Sequence, residues 1–138
     1  MKYLLDTNVL SESVKTSPQK TVLKSIERHQ REIVTAAPVW HELVFGCRRL
    51  PVSGKREILE NYLNDVIKPN MIILPYDERA AEWHAKERAR LSSMGETPAF
   101  VDGQIASIAQ VNGLILVTRN SADFKKFSKI RLENWHRK

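Results

Sequence analysis

Four acidic residues that lie far apart in the chain are candidates for a shared chemical role: Asp6, Glu42, Asp102 and Asp123. Hard divalent cations such as Mg²⁺ and Mn²⁺ bind oxygen ligands, which carboxylates supply. A cation held in this way polarises a phosphoryl oxygen, lowers the pKa of a bound water and neutralises developing charge. If the fold brings the four acids together, we expect metal-assisted hydrolysis of a phosphate ester.

Asp6 and Asp123 follow two apolar segments that are predicted to be strands, Lys2–Leu5 and Leu114–Val117. In parallel α/β sheets, ligands bind beyond the carboxyl ends of the strands. If these two strands are neighbours, the two carboxylates share one crevice. Considered alone, each aspartate is also explained as a residue that caps a helix or a turn.

Glu42 and Asp102 stand out by their positions on two predicted helices. At about 100° per residue, Glu42 lies at the border of an apolar stripe, and Gly46 one turn later leaves space for another backbone or a ligand. Asp102, with Gly103 beside it, lies within the apolar arc of its helix, where an unpaired carboxylate loses solvation. The alternative for Glu42 is an ordinary boundary glutamate paired with Arg49 or with a neighbouring lysine; for Asp102 we favour a functional role.

The composition is typical of a soluble globular protein with an excess of positive charge. The 138 residues suit one domain spanning 1–138, with 42% hydrophobic and 28% charged residues. The formal net charge of +6 favours polyanions such as nucleic acid, or an acidic partner. No apolar run reaches the roughly 18 residues of a membrane-spanning helix, and no signal peptide is apparent. We therefore expect a cytoplasmic protein with no membrane partner.

Several other kinds of site are excluded by the residues present. A single cysteine, Cys47, excludes an internal disulfide and a cysteine-based zinc cluster. His41-Glu42 begins like a zinc protease motif, but Phe45 stands where that motif requires histidine. The sequence contains neither a glycine-rich phosphate loop followed by Lys-Ser/Thr nor a Gly-x-Ser-x-Gly elbow.

The elements that must position the acids alternate between strands and helices. Short apolar segments predict strands at Lys2–Leu5, Ile33–Ala36, Met71–Leu74, Leu114–Val117 and Ile130–Leu132. Helices are predicted over Pro18–Gln30, Pro38–Leu50, Gly54–Val66, from Asp77 to Met94-Gly95, and from Thr97-Pro98 to Asn112-Gly113. A polar turn at Asp6-Thr7-Asn8 and a polar tail at Asn134–Lys138 complete the chain. This alternation predicts an α/β domain with a mainly parallel sheet covered by helices on both faces.

Four segments resemble, in order, the motifs of PIN-domain nucleases. They are Leu4-Leu5-Asp6-Thr7-Asn8-Val9-Leu10-Ser11-Glu12, Glu42-Leu43-x-x-Gly46, Asp102-x-x-Ile105-Ala106-x-x-Ala109 and Thr118-Arg119-Asn120-x-x-Asp123-Phe124. The segment Asn134-Trp135-His136 is similar to the ending of the FitB-like branch of VapC-type toxins. The resemblance covers essentially the whole chain.

The resemblance implies an α/β/α sandwich with a mainly parallel, roughly five-stranded central sheet. It also implies an endoribonuclease that depends on Mg²⁺ or Mn²⁺ and is the toxin of a type II toxin–antitoxin pair. The expected partners are RNA, a second copy of the chain, and a small antitoxin protein through which operator DNA is bound. By resemblance, the metal ligands are Asp6, Glu42 and Asp102 with Asp123 as the fourth acid, and the supporting residues are Thr7, Asn8, Thr118 and Asn120.

Basic residues near the acids are candidate contacts for RNA, with surface solubility as the alternative role: Arg48, Arg49, Arg119, Lys125 and Lys126.

Two other functions compete with the nuclease. A nucleic-acid-binding module without catalysis is disfavoured, because four carboxylates in its groove would repel phosphate. An aspartyl-phosphate phosphatase usually needs a second aspartate two residues after the first, where this chain has Asn8.

Overall fold

Five parallel strands form one central sheet in the order β3-β2-β1-β4-β5. The computed structural model describes residues 1–137, and its strands are β1 Tyr3–Leu5, β2 Ile33–Ala36, β3 Ile73–Leu74, β4 Ile115–Val117 and β5 Leu132–Glu133. In the central strand β1, Tyr3 pairs with Ile33 on one side and Ile115 on the other. All three residues of β1 are buried, as expected for a strand covered on both faces. The predicted parallel α/β architecture is confirmed.

Helices connect the strands and cover the sheet. They are α1 Thr7–Leu10, α2 Lys20–Arg28, α3 Ala37–Arg48, α4 Gly54–Asn61, α5 Lys68–Asn70, α6 Glu78–Ser93, α7 Phe100–Val111 and α8 Ser121–Phe124. A 3₁₀ turn, Ser11–Val14, continues α1, and a π-helical segment, Tyr62–Ile67, joins α4 to α5. Within residues 1–137, none of these helices is long and apolar enough to cross a membrane.

Local signals set several helix ends as predicted. Asp77 caps α6, because its Oδ1 accepts a hydrogen bond from the backbone N–H of Ala80 at 3.0 Å. Gly95 and Gly113 follow the ends of α6 and α7 with φ of +73° and +66°, the left-handed conformation that glycine adopts at little cost. These ends are confirmed.

The predicted start of α7 at Thr97-Pro98 is wrong, because α7 begins at Phe100. The Thr97 hydroxyl donates to Oγ of Ser92, near the end of α6, at 3.0 Å instead of capping the next helix. Ala99 occupies the N-cap position without a side-chain hydrogen bond. A hydrogen bond back to the preceding helix has therefore taken the side chain that the local pattern assigned to the cap.

Other boundaries differ by a few residues for identifiable reasons. The expected turn at Asp6-Thr7-Asn8 is the start of α1, with Asp6 as its N-cap. Leu114 lies outside β4, since its N–H donates to the carbonyl of Ala109 at 2.9 Å and so closes the end of α7. The predicted helix Gly54–Val66 changes to π geometry at Tyr62, whose hydroxyl donates to the carbonyl of Leu10 at 2.8 Å.

The expected polar tail is packed against the core over most of its length. Trp135 is buried, and its ring lies 5.2 Å from Tyr3 and 5.4 Å from His29. His136 places Nε2 at 3.2 Å from Oε2 of the buried Glu12. Lys138, the last residue of the predicted tail, lies outside the described residues.

Candidate active site

Asp6 is the most buried of the four acids and ends the central strand. Its Oδ1 accepts a hydrogen bond from the N–H of Thr7 at 2.8 Å, and its Oδ2 accepts one from the hydroxyl of Thr118 at 2.8 Å. Burial raises the pKa of Asp6, an effect that the hydrogen bonds from Thr118 and Thr7 oppose and that the Glu42 carboxylate increases. Its carboxylate is thus fixed in orientation but poorly solvated.

A polar network joins the segments that follow β1 and β4. Besides donating to Asp6, the Thr118 hydroxyl accepts a hydrogen bond from the N–H of Asn120 at 3.1 Å. Oδ1 of Asn8 accepts one from the N–H of Arg119 at 3.0 Å. The pairing of β1 with β4 therefore brings the two segments together, as the shared-crevice hypothesis requires.

Glu42 projects from α3 toward the same place. Its Oε2 accepts a hydrogen bond from the Thr7 hydroxyl at 2.9 Å, and the residue is exposed to solvent. Thr7 thereby links Glu42 to Asp6, because its backbone N–H binds one carboxylate while its hydroxyl binds the other.

Asp102 lies in the first turn of α7 and is the acid whose proton affinity is most altered. Its pKa is raised to about 6, first by burial and then by the negative charges of Asp123, Asp6 and Glu42, while Lys126 lowers it. The first turn of a helix ordinarily favours a negative side chain. The opposite result reflects burial of this carboxyl group first and the concentration of like charge around it second.

Three of the four acids line one open crevice of about 350 Å³. We call it the acidic crevice; its lining is Asp6, Thr7, Asn8, Ser11, Lys15, Glu42, Asp102, Ile105, Arg119, Asn120 and Phe124. Asp123, on the exposed side of α8, does not line it but acts on Asp102 through its charge. The four supporting residues inferred from the motifs lie in or directly beneath this crevice, with Thr118 fully buried.

The basic candidates are distributed unevenly around the crevice. Arg119 lines it, Arg49 lines the adjoining groove that also contains Glu42, and Lys126 is close enough to affect Asp102. Arg48 lies instead beside a small hollow with Glu60 on the other side of α3, and Lys125 is exposed at the end of α8.

Sequence analysis missed Lys15, which lines the acidic crevice. It also missed Ser11, which lines the crevice and donates its hydroxyl to the carbonyl of Thr7 at 2.6 Å. Ser11 lies within the first motif, whereas Lys15 lies three residues beyond its last residue, Glu12. Their place in the crevice depends on the turn from α1 into the 3₁₀ segment, and no sequence pattern predicted that turn.

The donor set suits a hard divalent cation, although the side chains are not gathered into a finished coordination sphere. Among residues 1–137, no three His, Cys, Asp or Glu side chains are grouped closely enough to hold a metal ion as they stand. The acids facing the crevice offer only oxygen donors, and their crowding is the condition that a cation relieves. The residues therefore fit Mg²⁺ or Mn²⁺ better than a metal that prefers nitrogen or sulfur ligands.

A family model of the PIN domain matches residues 3–130, nearly the whole chain. The chain belongs to the PIN-domain family. The match includes all four acids and both segments that meet beside β1 and β4. The four motifs noted in the sequence therefore converge at the carboxyl ends of the central strands of this PIN domain.

Three comparisons place this PIN domain among bacterial relatives. It is 32% identical over 125 residues to the VapC ribonuclease Y4jK of Sinorhizobium fredii, covering 88% of this chain and 89% of the relative. It is 31% identical over 136 residues to the toxin FitB of Neisseria gonorrhoeae, covering 96% and 98%. Its fold matches the crystal structure of DNA-bound VapBC from Salmonella typhimurium with a TM-score of 0.85 at 27% identity, covering 98% of each chain.

Proposed function

We propose that this PIN domain is a metal-dependent endoribonuclease and the toxin of a type II toxin–antitoxin pair. The observation that carries the proposal is the convergence of Asp6, Glu42 and Asp102 on one open crevice, where burial and the neighbouring acids raise the pKa of Asp102 to about 6. Carboxylates concentrated in this way on a protein of net charge +6 fit an enzyme that holds a cation against a phosphate backbone. The relatives described as ribonuclease and toxin support the same assignment.

Asp6, Glu42 and Asp102 would hold Mg²⁺ or Mn²⁺, with Asp123 as a fourth acid acting from the crevice edge. When bound, the cation supplies Lewis-acid polarisation of the phosphoryl oxygen and a water of lowered pKa. The protein's own part is orientation, because Thr118 fixes the Asp6 carboxylate and Thr7 fixes that of Glu42.

The supporting residues keep that orientation without occupying the crevice centre. Asn8 binds the backbone of Arg119, and Thr118 binds the backbone of Asn120. The contact of Asn8 with Arg119 and that of Thr118 with Asp6 hold the segment after β4 against the segment after β1, while the contact of Thr118 with Asn120 fixes the turn within the segment after β4. We propose that they set the spacing between Asp6 and the residues that approach from α8.

RNA would follow the basic residues that border the acidic crevice. Arg119 is the strongest of the sequence candidates because it lines the crevice, followed by Arg49 and Lys126. Lys125 remains a candidate for a more distant phosphate. Arg48 faces away from the crevice, so we expect it to contribute little.

A small antitoxin would cover the site through the apolar groove that adjoins the crevice. This groove shares Thr7 and Glu42 with the crevice, and its apolar lining is Val14, Leu43, Phe45, Gly46 and Leu59. Phe45 is 57% exposed, and a side chain added at Gly46 would meet nothing within 4 Å, so the groove is open. A partner segment lying there would reach the carboxylates with an Arg or Lys.

The solved relative is a VapBC complex bound to DNA. By analogy we propose that this chain reaches operator DNA only through its antitoxin. We also propose that the single domain acts in the cytoplasm and as a homodimer, for which the exposed Phe100 and Val101 in the first turn of α7 offer an apolar contact.

The decisive experiment is cleavage of cellular RNA by the purified protein, with end sequencing of the products. We expect cleavage at defined internal positions with Mg²⁺ or Mn²⁺ and none with chelator. A protein that binds RNA but leaves it intact with either metal supports the non-catalytic binding module instead. Hydrolysis of a small phosphate monoester with intact RNA supports the phosphatase.

A further inference from the structure

Lys15 is a cation placed inside an otherwise acid-rich crevice. It lines the acidic crevice together with Asp6, Glu42 and Asp102, and its side chain is 44% exposed. It stands at the C-cap of the 3₁₀ turn that continues α1, so a short helical path connects it to Asp6. Its position relative to Asp6 is therefore set by local backbone structure, whereas the packing of α3 and α7 brings Glu42 and Asp102 to the same crevice.

The ammonium group of Lys15 is held in place by the carboxylate of Glu12. Its Nζ lies 3.0 Å from Oε2 of Glu12, whose side chain is 1% exposed. Glu12 is anchored in turn, since its Oε1 accepts a hydrogen bond from the N–H of Gln19 at 2.8 Å and its Oε2 lies 3.2 Å from Nε2 of His136. Burial raises the pKa of Glu12, but the hydrogen bonds from Gln19, Lys15 and His136 outweigh it and lower the pKa overall.

This anchoring leaves Lys15 both charged and available. An ammonium group has three donors, and the contact with Glu12 uses one of them. A lysine tethered at its tip loses less freedom when it binds a ligand than a lysine free in solvent does. The geometry suits capture of a second anion from the crevice side.

The anion that approaches this crevice carries phosphate. Four carboxylates repel an RNA backbone, so cations at the crevice wall must attract it. Arg119, from the end of β4, supplies one such charge, and Lys15, from the end of the 3₁₀ turn, supplies another.

We infer that Lys15 binds a backbone phosphate of the RNA substrate in the acidic crevice, and that buried Glu12 positions its ammonium group. The inference rests on the proposed function for the identity of the substrate. A lysine that only balances the charge of Glu12 is the competing account. The two differ in whether RNA binding, rather than fold stability, depends on the charge at residue 15.

The test compares Lys15→Gln, which removes the charge but keeps a donor for Glu12, with Lys15→Arg, which keeps the charge. Lys86→Gln is the matched control, because Lys86 lies 3.3 Å from Glu82 in an exposed pair on α6, away from the crevice. Binding of a labelled single-stranded RNA is measured in chelator across a salt series. Thermal unfolding of each variant is recorded separately, so that a loss of stability is not mistaken for a loss of contact.

We expect Lys15→Gln to reduce the salt dependence of log K by about 0.7, the value for one phosphate contact on a single strand. Near 0.1 M salt this corresponds to affinity weaker by roughly fivefold. Lys15→Arg should restore the wild-type slope, and Lys86→Gln should not change it. With Mn²⁺, Lys15→Gln should raise KM by a similar factor and leave kcat nearly unchanged.

Lys15→Gln with wild-type affinity and slope would overturn the inference, whatever its melting temperature. Unchanged RNA binding would assign Lys15 to charge balance or to an acidic protein partner. Failure of the proposed function is a separate result, in which the wild type cuts no RNA with either metal. A reduced salt slope in Lys15→Gln would still support the phosphate contact in that case.

Discussion

Asp102 shows how the chemistry of a single residue depends on its neighbours. A carboxyl group in the first turn of a helix usually ionises easily, yet the pKa of Asp102 is raised to about 6 because it is buried and faces Asp123, Asp6 and Glu42. A cation bound beside Asp102 would relieve the repulsion that disfavours its charged form. Two predictions at the scale of the residue follow from this coupling.

Substitution of the crevice acids should abolish cleavage. We expect Asp6→Asn, Glu42→Gln and Asp102→Asn each to lower the metal-dependent rate by on the order of 100-fold or more, since each removes a proposed ligand of the cation. Asp123→Asn should be milder, about tenfold, because Asp123 acts from the crevice edge. RNA cleavage with Mn²⁺ measures the effect, and the exposed Asp65→Asn is the control. Near wild-type cleavage by Asp102→Asn would mean that the site is wrongly assigned.

Asp102→Asn should also stabilise the metal-free protein. The charged carboxylate is disfavoured in the fold by burial and by three like charges, so its neutral analogue should raise Tm at neutral pH by roughly 2–5 °C in chelator. Added Mn²⁺ should raise the Tm of the wild type and have less effect on the variant. Thermal unfolding with chelator and across a Mn²⁺ titration measures both effects; equal shifts in the two proteins would place the metal elsewhere.

At the scale of the elements, the site depends on how α6 holds α7 and the segment after α8. Glu87 on α6 accepts hydrogen bonds from the N–H of Ser128 and from Arg90. Arg90 donates to the carbonyl of Lys126 at 2.9 Å. This arrangement fixes the loop that leaves α8 and so steadies the helix that carries Asp123.

Glu87→Gln should remove stability that depends on pH. Hydrogen bonds and charge from Arg90 lower the pKa of Glu87 to about 2 against burial, with Ser128 contributing further. A carboxylate with a depressed folded pKa stabilises the fold above its ordinary pKa of 4.5 and loses this effect as the pH falls toward 2. We expect a loss of about 1–3 kcal/mol at pH 7. The difference from wild type should shrink below pH 4 in urea unfolding; a constant difference would exclude Glu87 as the titrating group.

Gly103→Ala should destabilise the protein although alanine is normally the better helix former. A Cβ at Gly103 would overlap the ring of His84, which is buried and has Nδ1 at 2.8 Å from the Tyr76 hydroxyl. We expect a loss of roughly 1–3 kcal/mol from this overpacking. Gly46→Ala is the control, because its Cβ meets nothing within 4 Å and should gain up to about 1 kcal/mol. Urea unfolding should therefore give opposite signs for the two substitutions.

At the scale of the whole molecule, charge is divided between a positive total and an acidic crevice. The net charge of +6 attracts polyanions, while the carboxylates that line the crevice repel phosphate, and a bound cation would relieve this repulsion. An apolar groove beside the crevice offers a covering partner a place to bind. Both features suit a nuclease whose activity is controlled by a second protein.

Expression of the chain alone in bacteria should inhibit growth, because no antitoxin is then present to cover the crevice. Asp6→Asn should relieve the inhibition at equal protein levels, since it removes a proposed metal ligand. Growth curves with immunoblots measure the effect. Harmless accumulation of wild-type protein that cuts RNA when purified would indicate a housekeeping nuclease rather than a toxin.

The sequence by itself determined the features that are local. The alternation of two kinds of apolar segment predicted the parallel α/β fold, because a strand covered on both faces leaves a short continuous apolar run whereas an amphipathic helix leaves apolar residues at a period of about 3.6. Asp77, Gly95 and Gly113 predicted helix ends, since capping and left-handed turns involve residues only a few positions apart. The four acids were also identifiable, because the types of residue that bind a hard cation are few.

Only the tertiary structure decided the contacts between distant segments. It placed β4 beside β1, so that Thr118 orients Asp6 across 112 residues, and it brought His136 to Glu12 across 124. These outcomes depend on the packing free energy of the whole chain, which no short segment encodes. For the same reason, the place of Lys15 in the acidic crevice emerged only once the chain was folded.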